Sequence, residues 1–226
     1  LIKMRQASFS SLNLALISEK KIKQGQLNRP FNTKKFTELV HLAKKYDFFV
    51  TAYIILGLPN HTIEQMLNSI LFLAELPVLI GPSFFYLVPK TTIFEEYKSQ
   101  NKIPKDVKKY RSSYMPYETE NFQPKDLMTL FRITRIVNFM KEIKNISLEQ
   151  KYIININTLI LNKNLDGGEI RLQLGLALLD LLKNSGKIYG LKKLEKNQYE
   201  LREVVVSQKI VNMFLKRLSK ISISTN

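Results

Sequence analysis

The stretch TAYIILGLPNHTIEQM, Thr51 to Met66, passes from an apolar run into Gly-Leu-Pro and then into the start of a helix. Phe48 to Leu56 is rich in β-branched and aromatic residues and predicts a strand. Its nearly continuous apolar character is typical of a parallel strand covered on both faces. After the turn, Thr62 and Gln65 form a capping-box pattern, in which each side chain bonds the backbone N–H of the other residue. The stretch therefore predicts a strand, a tight turn and a helix in direct succession.

The segments on either side continue this alternation of strand and helix. Leu12 to Ile17 is an apolar run of strand length, and Asn32 or Thr33 can cap a following segment that has apolar residues at helical spacing. Pro77 ends the helix that begins after Thr62, and Ser83 to Val88 reads as a third strand. Short connections between such elements predict right-handed crossovers, and hence a parallel sheet or part of a (β/α) barrel. The expected fold class is α/β.

The chain changes character after residue 97, so we predict one unit over residues 1–97 and an accessory region over residues 98–226. Lys98 to Tyr117 is charged and irregular, whereas Pro124 to Ile143 has the pattern of an amphipathic helix. A helix at about Glu169 to Asn184, a hairpin within Lys187 to Val206 with its turn at 196–197, and a last helix from Ser207 to Ser219 complete the region. It is expected to be mainly helical, of α+β type.

Composition limits the chemistry open to this chain. Its 226 residues include no cysteine and two histidines, which argues against disulfides, a Cys nucleophile and a thiolate or histidine metal cage. The formal net charge of +16 can attract nucleic acid. However, the basic residues are mostly lysines scattered along the chain, as AT-rich coding would produce. We therefore do not expect nucleic acid as the main partner, and keep a basic nucleic-acid-binding protein as an alternative.

Location and completeness are also expectations at this stage. No apolar run is long enough to span a membrane, and no secretory signal opens the chain, so we expect a cytoplasmic protein. The sequence opens on Leu1, with no Met before Met4. We expect from this that an N-terminal part precedes Leu1.

The carboxyl ends of the predicted strands are where parallel sheets bind ligands. Gly57 has no Cβ, so a ligand could approach its backbone closely, and the helix that begins after Asn60 has unpaired N–H groups at its start. Pro59 stiffens the turn. The same residues also suit a plain strand-to-helix turn with no ligand, and the spacing alone leaves both interpretations open.

The order of four motifs resembles the second half of the radical SAM barrel. They are LNLALIS at 12–18, LNRPF at 27–31, ILGLPNHT at 55–62 and FFYLVPKTTIFEEY at 84–97. The resemblance covers about residues 5 to 97 and is greatest to the branch that often carries an upstream cobalamin-binding domain. The segment YETENFQPKDLMTLFRITRIVNFMK at 117–141 is similar to the helical extension of those proteins. The implied fold is the C-terminal half of a partial (β/α)6 barrel, containing its fourth to sixth strands.

The resemblance implies a set of cofactor-binding residues for S-adenosylmethionine. Ile55, Leu56 and Gly57 stand where the family's fifth strand meets the adenine, and Val88 and Pro89 end the sixth strand beside it. Ser18 ends the fourth strand and would meet the ribose or methionine part, unless it is only a helix N-cap. Arg29 could pair with the methionine carboxylate, with a surface ion pair as the alternative.

Other positions are given different expectations by the same resemblance. Tyr53 and Tyr86 are expected to pack within the barrel rather than contact substrate, and His61 is expected to face solvent. Asn60 and Lys90 replace glycines of the family's turns, and either replacement could strain a turn that favours positive φ. Glu118, Glu120 and Asp126 could face a substrate channel, although an ordinary polar surface is the simpler interpretation.

The implied parent is a radical SAM enzyme, whose [4Fe-4S] cluster drives reductive cleavage of S-adenosylmethionine, or methyl transfer where cobalamin is present. The cluster is held by a Cys-x-x-x-Cys-x-x-Cys loop, and this chain has no cysteine. We therefore expect no catalytic residue and no metal ligand here, and a chain that is inactive by itself. Its expected partners are the N-terminal half of the barrel, a cobalamin-binding domain and an unknown substrate. A cluster-less binding module or partner subunit is the alternative.

Overall fold

The computed structural model describes residues 1–16, 32–111, 119–144, 167–193 and 199–225, which form seven α-helices and five strands. The helices are α1 (Ile2–Gln6), α2 (Thr33–Lys45), α3 (Ile63–Ala74), α4 (Thr92–Ser99), α5 (Pro124–Lys144), α6 (Gly167–Ser185) and α7 (Gln208–Leu218). The strands are β1 (Ser11–Leu16), β2 (Phe49–Leu56), β3 (Leu79–Phe84), β4 (Tyr189–Lys193) and β5 (Tyr199–Glu203). The mixed α/β class expected from the sequence is confirmed.

The main sheet consists of three parallel strands in the order β1-β2-β3. Leu14 of β1 lies opposite Ala52 of β2, and Ala52 lies opposite Ile80 of β3. Each strand therefore neighbours the next one along the chain, and a helix makes each crossover. Because the strand order does not reverse, successive right-handed crossovers place both helices on the same face of the sheet.

Helices cover one face of the sheet and leave the other face bare among the described residues. Val50, Ala52, Ile54 and Leu56 of β2 are buried in one cluster with side chains of α2, α3, α5 and α7. The alternate residues of β2 point the other way, and Phe49, Tyr53 and Ile55 are 50%, 46% and 39% exposed. Among the described residues the prediction that this strand is covered on both faces is therefore wrong. Apolar composition predicted burial, but the described helices lie on one side only.

The third strand lies four residues earlier than the sequence predicts, at Leu79–Phe84 rather than Ser83–Val88. The observed strand includes Pro82, which has no N–H to donate to a ladder. Within β3, however, Ile80 directs its backbone groups away from β2, and Pro82 shares that orientation because orientation repeats every second residue. The proline therefore costs the sheet no hydrogen bond.

The outer edge of β3 is closed by a side chain from α5. Asn138 Oδ1 accepts from the Ile80 N–H at 3.0 Å, and Asn138 Nδ2 donates to the Ile80 carbonyl at 2.8 Å. The amide thus replaces the backbone of a neighbouring strand at this point. A strand edge capped in this way is less available for pairing. At the opposite side, no strand in the described part of the chain pairs with the outer edge of β1.

Several helices begin or end close to the residues that local sequence signals predict. Asn32 caps α2 by accepting from the Lys35 N–H at 3.1 Å. The capping box of α3 is present: the Gln65 N–H donates to Thr62 Oγ1 at 3.2 Å, and Gln65 Oε1 accepts from the Thr62 N–H at 2.9 Å. Gly186, with φ of +68°, follows the end of α6, close to the predicted end of that helix at about Asn184. Helix α5 begins at Pro124 as predicted, whereas α1 and α4 were not predicted.

The region after residue 97 packs directly on the first unit. One buried cluster contains Leu16 and Ile54 together with Leu130 of α5, Leu182 of α6 and Phe214 of α7. The predicted hairpin is present, as antiparallel strands β4 and β5, and its turn lies outside the described residues. The boundary after residue 97 stays a prediction. None of the described helices has both the length and the apolar character that crossing a membrane requires.

Candidate functional site

The carboxyl ends of the three parallel strands meet at one edge of the sheet, at Leu16, Leu56 and Phe84. This edge is where a parallel sheet offers loops and helix N-termini to a ligand. Two of the predicted site residues, Ile55 and Leu56, end β2, and Gly57 follows directly. Ser18 and Arg29 lie outside the described residues, so their expected roles stay predictions.

Ile55 and Leu56 face opposite sides of the sheet. Leu56 is buried in the core, with 1% of its surface exposed, and contributes no side-chain surface to the edge. Ile55 lies on the bare face, opposite Ser83 of β3 in the parallel register. Of these two residues, only Ile55 therefore presents its side chain where a bound molecule could contact it.

Gly57 has a backbone conformation that few other residues adopt, with φ of +83°. A Cβ at this position would lie 2.9 Å from Leu127 Cδ1 and 3.6 Å from Phe122 Cε2. Its N–H donates to Met66 Sδ at 3.1 Å. The need for glycine is explained by the turn and by the close approach of α5. The Cβ side of Gly57 is filled by protein, and its amide already has a partner.

The Leu58–His61 segment is a tight turn with Pro59 as its second residue. The His61 N–H donates to the Leu58 carbonyl at 2.9 Å, and Thr62 then begins the capping box of α3. Asn60 is not among the residues with positive φ, so its replacement of a family glycine causes no backbone strain. The Gly-Leu-Pro sequence therefore lies in the tight turn that connects β2 to α3.

Lys90 does adopt the left-handed conformation, with φ of +68°. It follows Val88 and Pro89, in a turn where Thr91 Oγ1 donates to the Val88 carbonyl at 2.8 Å and accepts from the Phe94 N–H to cap α4. Lysine carries the steric cost that glycine would avoid here. The expectation of a strained turn at Lys90 is confirmed.

Val88 and Pro89 do not end a strand, because β3 stops at Phe84. The pairing continues for one further bond, from the Phe85 N–H to the Leu56 carbonyl at 2.8 Å, before the chain leaves the sheet. Val88 is 46% exposed and Tyr86 is 38% exposed. These side chains offer apolar surface in the loop after β3, beyond the observed end of the strand at Phe84.

His61 is buried rather than solvent-facing, which corrects the expectation from the sequence. Its side chain is 6% exposed, and neither ring nitrogen has a hydrogen-bond partner. Burial lowers the pKa of His61 to about 4, because a charged imidazole would be poorly solvated there. A polar residue in a turn suggested exposure, but its surroundings in the fold enclose it. The neutral ring is therefore the form present near pH 7.

Polar and small side chains on the bare face were not singled out by the sequence. Asn13 and Ala15 of β1, Thr51 of β2, and Gly81 and Ser83 of β3 occupy this face by register. A Cβ on Gly81 would lie 2.8 Å from Tyr53 Cδ1, so the Tyr53 ring covers the glycine. Because β2 is apolar on both faces, its sequence did not indicate which face the helices would leave bare. The alternation in β1, with Leu12, Leu14 and Leu16 on one side, could have indicated this face.

The acidic residues proposed for a substrate channel have simpler surroundings. Asp126 Oδ2 accepts from the Gln123 N–H at 2.9 Å and so stabilises the start of α5. Glu120 is exposed, and Glu118 lies outside the described residues. Within the described ranges, no group of three or more His, Cys, Asp or Glu residues could hold a metal ion.

Comparison with known proteins adds no assignment to this geometry. No family model and no curated protein matches the sequence. Three features of the described residues bear on function. They are a parallel sheet with one bare face, an exposed Ile55 at the carboxyl end of β2, and an apolar loop at Val88.

Proposed function

We propose that the chain is the C-terminal half of a radical SAM barrel with its helical extension. The single observation that carries the proposal is the sheet itself, in which three parallel strands follow chain order, helices cover one face, and no described element covers the other. A (β/α) barrel has this organisation, with helices outside and side chains of alternate strand residues inside. The bare face would be the inner wall of that barrel.

The two edges of the sheet support the direction in which the barrel would continue. The β3 edge is capped by Asn138, as suits the last strand of a partial barrel. The β1 edge is unpaired among the described residues and could receive the preceding strands. In the proposal, the first three strands of the parent pair along β1, and the cobalamin-binding domain, where present, precedes them.

The residues of this chain would bind and orient S-adenosylmethionine and exclude water from it. Ile55 and Val88 offer exposed apolar surface at the carboxyl edge, which suits an adenine ring. Arg29 and Ser18 would contact the methionine and ribose parts. Gly57 would shape the turn rather than bind through its amide, because Met66 already accepts from that N–H.

The iron–sulfur cluster does not fit this chain by itself, since the sequence has no cysteine. In the proposal, its three thiolates belong to the preceding part of the parent protein. In the assembled parent, the cluster would supply the electron for cleavage of S-adenosylmethionine, and this chain would form the other wall of the site. The chain alone would then have no activity.

The first test is to read the DNA upstream of the Leu1 codon. An in-frame continuation that encodes Cys-x-x-x-Cys-x-x-Cys would support the proposal. After anaerobic reconstitution with iron and sulfide, the longer protein should bind S-adenosylmethionine. When a reductant is added, it should form 5′-deoxyadenosine. Ile55→Asp should weaken that binding at least tenfold, whereas Ile2→Asp, on an exposed helix outside the sheet, should not. A frame without the three-cysteine motif, or a reconstituted protein that does not bind S-adenosylmethionine, would refute it.

The absence of cysteine also favours a second candidate, a cluster-less module that binds a partner through the same bare face. A stop codon directly upstream of Leu1 would select it over the first. The high positive charge leaves nucleic acid as a third partner class to test. Such binding should weaken steeply between 50 and 200 mM salt, by a factor of about 10³ or more for six phosphate contacts.

A further inference from the structure

A cavity of about 270 Å³ lies in the C-terminal region, away from the carboxyl edge of the sheet. It is half-open and lies between α5, α6 and the start of β4, and its lining includes Phe139, Leu178, Leu182 and Ile188. Most of this surface is apolar. The cavity approaches the size range of small-molecule sites, which begins at about 300 Å³.

Two arginines of α5 stand at this otherwise apolar cavity. Arg132 and Arg135 are three residues apart, so they lie on the same side of the helix. Neither has a carboxylate partner among the described residues. Nε of Arg132 is buried and has no hydrogen-bond partner in the part of the chain that the structure describes. A guanidinium N–H that is removed from water and left unpaired calls for an acceptor, and an anion supplies the strongest one.

The shape of the cavity depends on a glycine in α6. A Cβ on Gly175 would overlap the ring of Phe139, so the absence of a side chain lets this ring lie directly against α6. The ring is thereby held at the wall and does not fill the space between the helices. The cavity is therefore built from fitted parts rather than left by loose packing.

We propose that this cavity binds an amphipathic anion, whose apolar chain lies along Leu178 and Leu182 and whose charged head pairs with Arg132 and Arg135. At roughly 30 Å³ for each water-sized group, the cavity holds about nine non-hydrogen atoms, so an alkyl chain of about ten carbons nearly fills it and the charged head lies at its open side. The ligand class is thus a medium-length acyl or alkyl chain with a carboxylate or phosphate head. This inference is independent of the barrel assignment.

Calorimetric titration of the full 226-residue chain tests the proposal with three probes. Decanoate carries both features of the ligand, decanol has the chain without the charge, and acetate has the charge without the chain. Decanoate, kept below its micelle concentration, should bind in a saturable way and at least tenfold more tightly than either of the others. Equal binding of decanol would refute the role of the arginines, and equal binding of acetate would refute the role of the apolar wall. Failure of decanoate to bind would refute the site.

Variants separate this site from general attraction to a basic protein. Arg132→Gln should weaken decanoate about tenfold and leave decanol unchanged. Arg111→Gln makes the same charge change outside the cavity and should alter neither. If both variants weaken decanoate equally, the attraction is non-specific and the proposal fails. Leu178→Phe, which fills the cavity, should abolish binding of both chains while leaving the circular dichroism spectrum unchanged; retained decanoate binding would refute the assigned location.

The head group is distinguished by comparing decanoate with decyl phosphate. The ligand that binds the unmodified chain more tightly identifies the head as carboxylate or phosphate, provided that its advantage disappears in Arg132→Gln. If Arg132→Gln weakens the binding of neither ligand, the proposed pairing of the head group with Arg132 is wrong. This outcome would not depend on whether the chain is half of a barrel.

Discussion

Leu127 of α5 occupies the space that a side chain on Gly57 would need, with Leu127 Cδ1 2.9 Å from the position of a Cβ. A residue of the C-terminal region thus packs on the turn that ends β2. The candidate site and the helical extension are therefore coupled through this contact. A change at Gly57 acts on both the turn and the packing of α5.

Gly57→Ala should lower the free energy of unfolding by about 2–4 kcal/mol, because alanine is strained at φ of +83° and collides with Leu127. Urea denaturation monitored by circular dichroism measures the change. Gly167→Ala is the matched control: apart from its own stretch of helix, no described atom lies within 4 Å of a Cβ there, and stability should be unchanged or raised by up to about 1 kcal/mol.

The double variant Gly57→Ala/Leu127→Ala separates the two costs. Removing the leucine relieves the collision but not the backbone strain, so the double variant should be more stable than the sum of the single changes predicts, by about 1 kcal/mol. Strict additivity would show that the Leu127 contact plays no part.

Lys90→Gly should raise the free energy of unfolding by about 0.5–1 kcal/mol. Glycine adopts the left-handed region without the steric cost that lysine carries at φ of +68°, and part of this gain is offset by the greater freedom of glycine in the unfolded chain. Lys90→Ala removes the same charge but keeps the Cβ, so it should give no gain. Equal stability of the glycine and alanine variants would contradict the strain at this turn.

Asn138→Leu should destabilise the fold by about 1–3 kcal/mol, since both backbone groups of Ile80 lose their partner at the edge of β3. Asn60→Ala, at an exposed turn, is the control and should change stability by less than about 0.5 kcal/mol. The uncapped edge should also increase self-association, as measured by sedimentation velocity. If the Asn138→Leu variant is as stable as the unmodified chain, water satisfies the backbone N–H and carbonyl of Ile80 equally well.

His61 should make stability fall as the pH falls from 6.5 towards 4. The unfolded chain accepts a proton on this residue near its ordinary pKa of 6.5, whereas burial lowers the pKa in the folded chain to about 4. The unfolded state therefore binds more protons in that window, and folding loses up to about 3 kcal/mol across it. Above pH 6.5 the contribution is fully present.

His61→Phe isolates this effect, because phenylalanine fills similar space and does not titrate. Its free energy of unfolding should fall less than that of the parent between pH 6.5 and 4, in urea titrations at each pH. Asn60→Ala, at the exposed position next to His61, changes no titrating group and should retain the full pH dependence of the unmodified chain. Parallel pH profiles for the parent and His61→Phe would exclude His61 as the cause.

The bare face should make the isolated chain self-associate. Phe49, Tyr53 and Ile55 expose large apolar surfaces next to the unpaired edge of β1. Phe49→Lys/Ile55→Lys should shift the chain towards monomer in sedimentation velocity, whereas Val205→Lys, at an isolated exposed valine, should not. A monodisperse parent monomer that unfolds cooperatively would contradict this prediction and weaken the proposal of a half barrel.

Local signals in the sequence determined several elements of this protein and their ends, whereas α1 and α4 were not predicted and β3 was predicted four residues too late. The Asn32 cap, the Thr62–Gln65 capping box and the Gly186 end of α6 depend on residues a few positions apart, so their patterns are readable directly. The apolar run of β2 likewise predicted a strand. At the candidate site, Gly57 could be identified as a special position for the same reason, although its partner could not.

Only the tertiary structure decided which surfaces are covered. Leu127 reaches Gly57 and Asn138 caps Ile80 across long separations in sequence, and no local pattern encodes such pairs. The burial of His61, the placement of Pro82 within an edge strand and the bare face of β2 follow from where the helices pack. Burial and pairing depend on the whole set of neighbours, whereas capping depends on one turn of chain, and this difference in range separates what could be predicted from what could not.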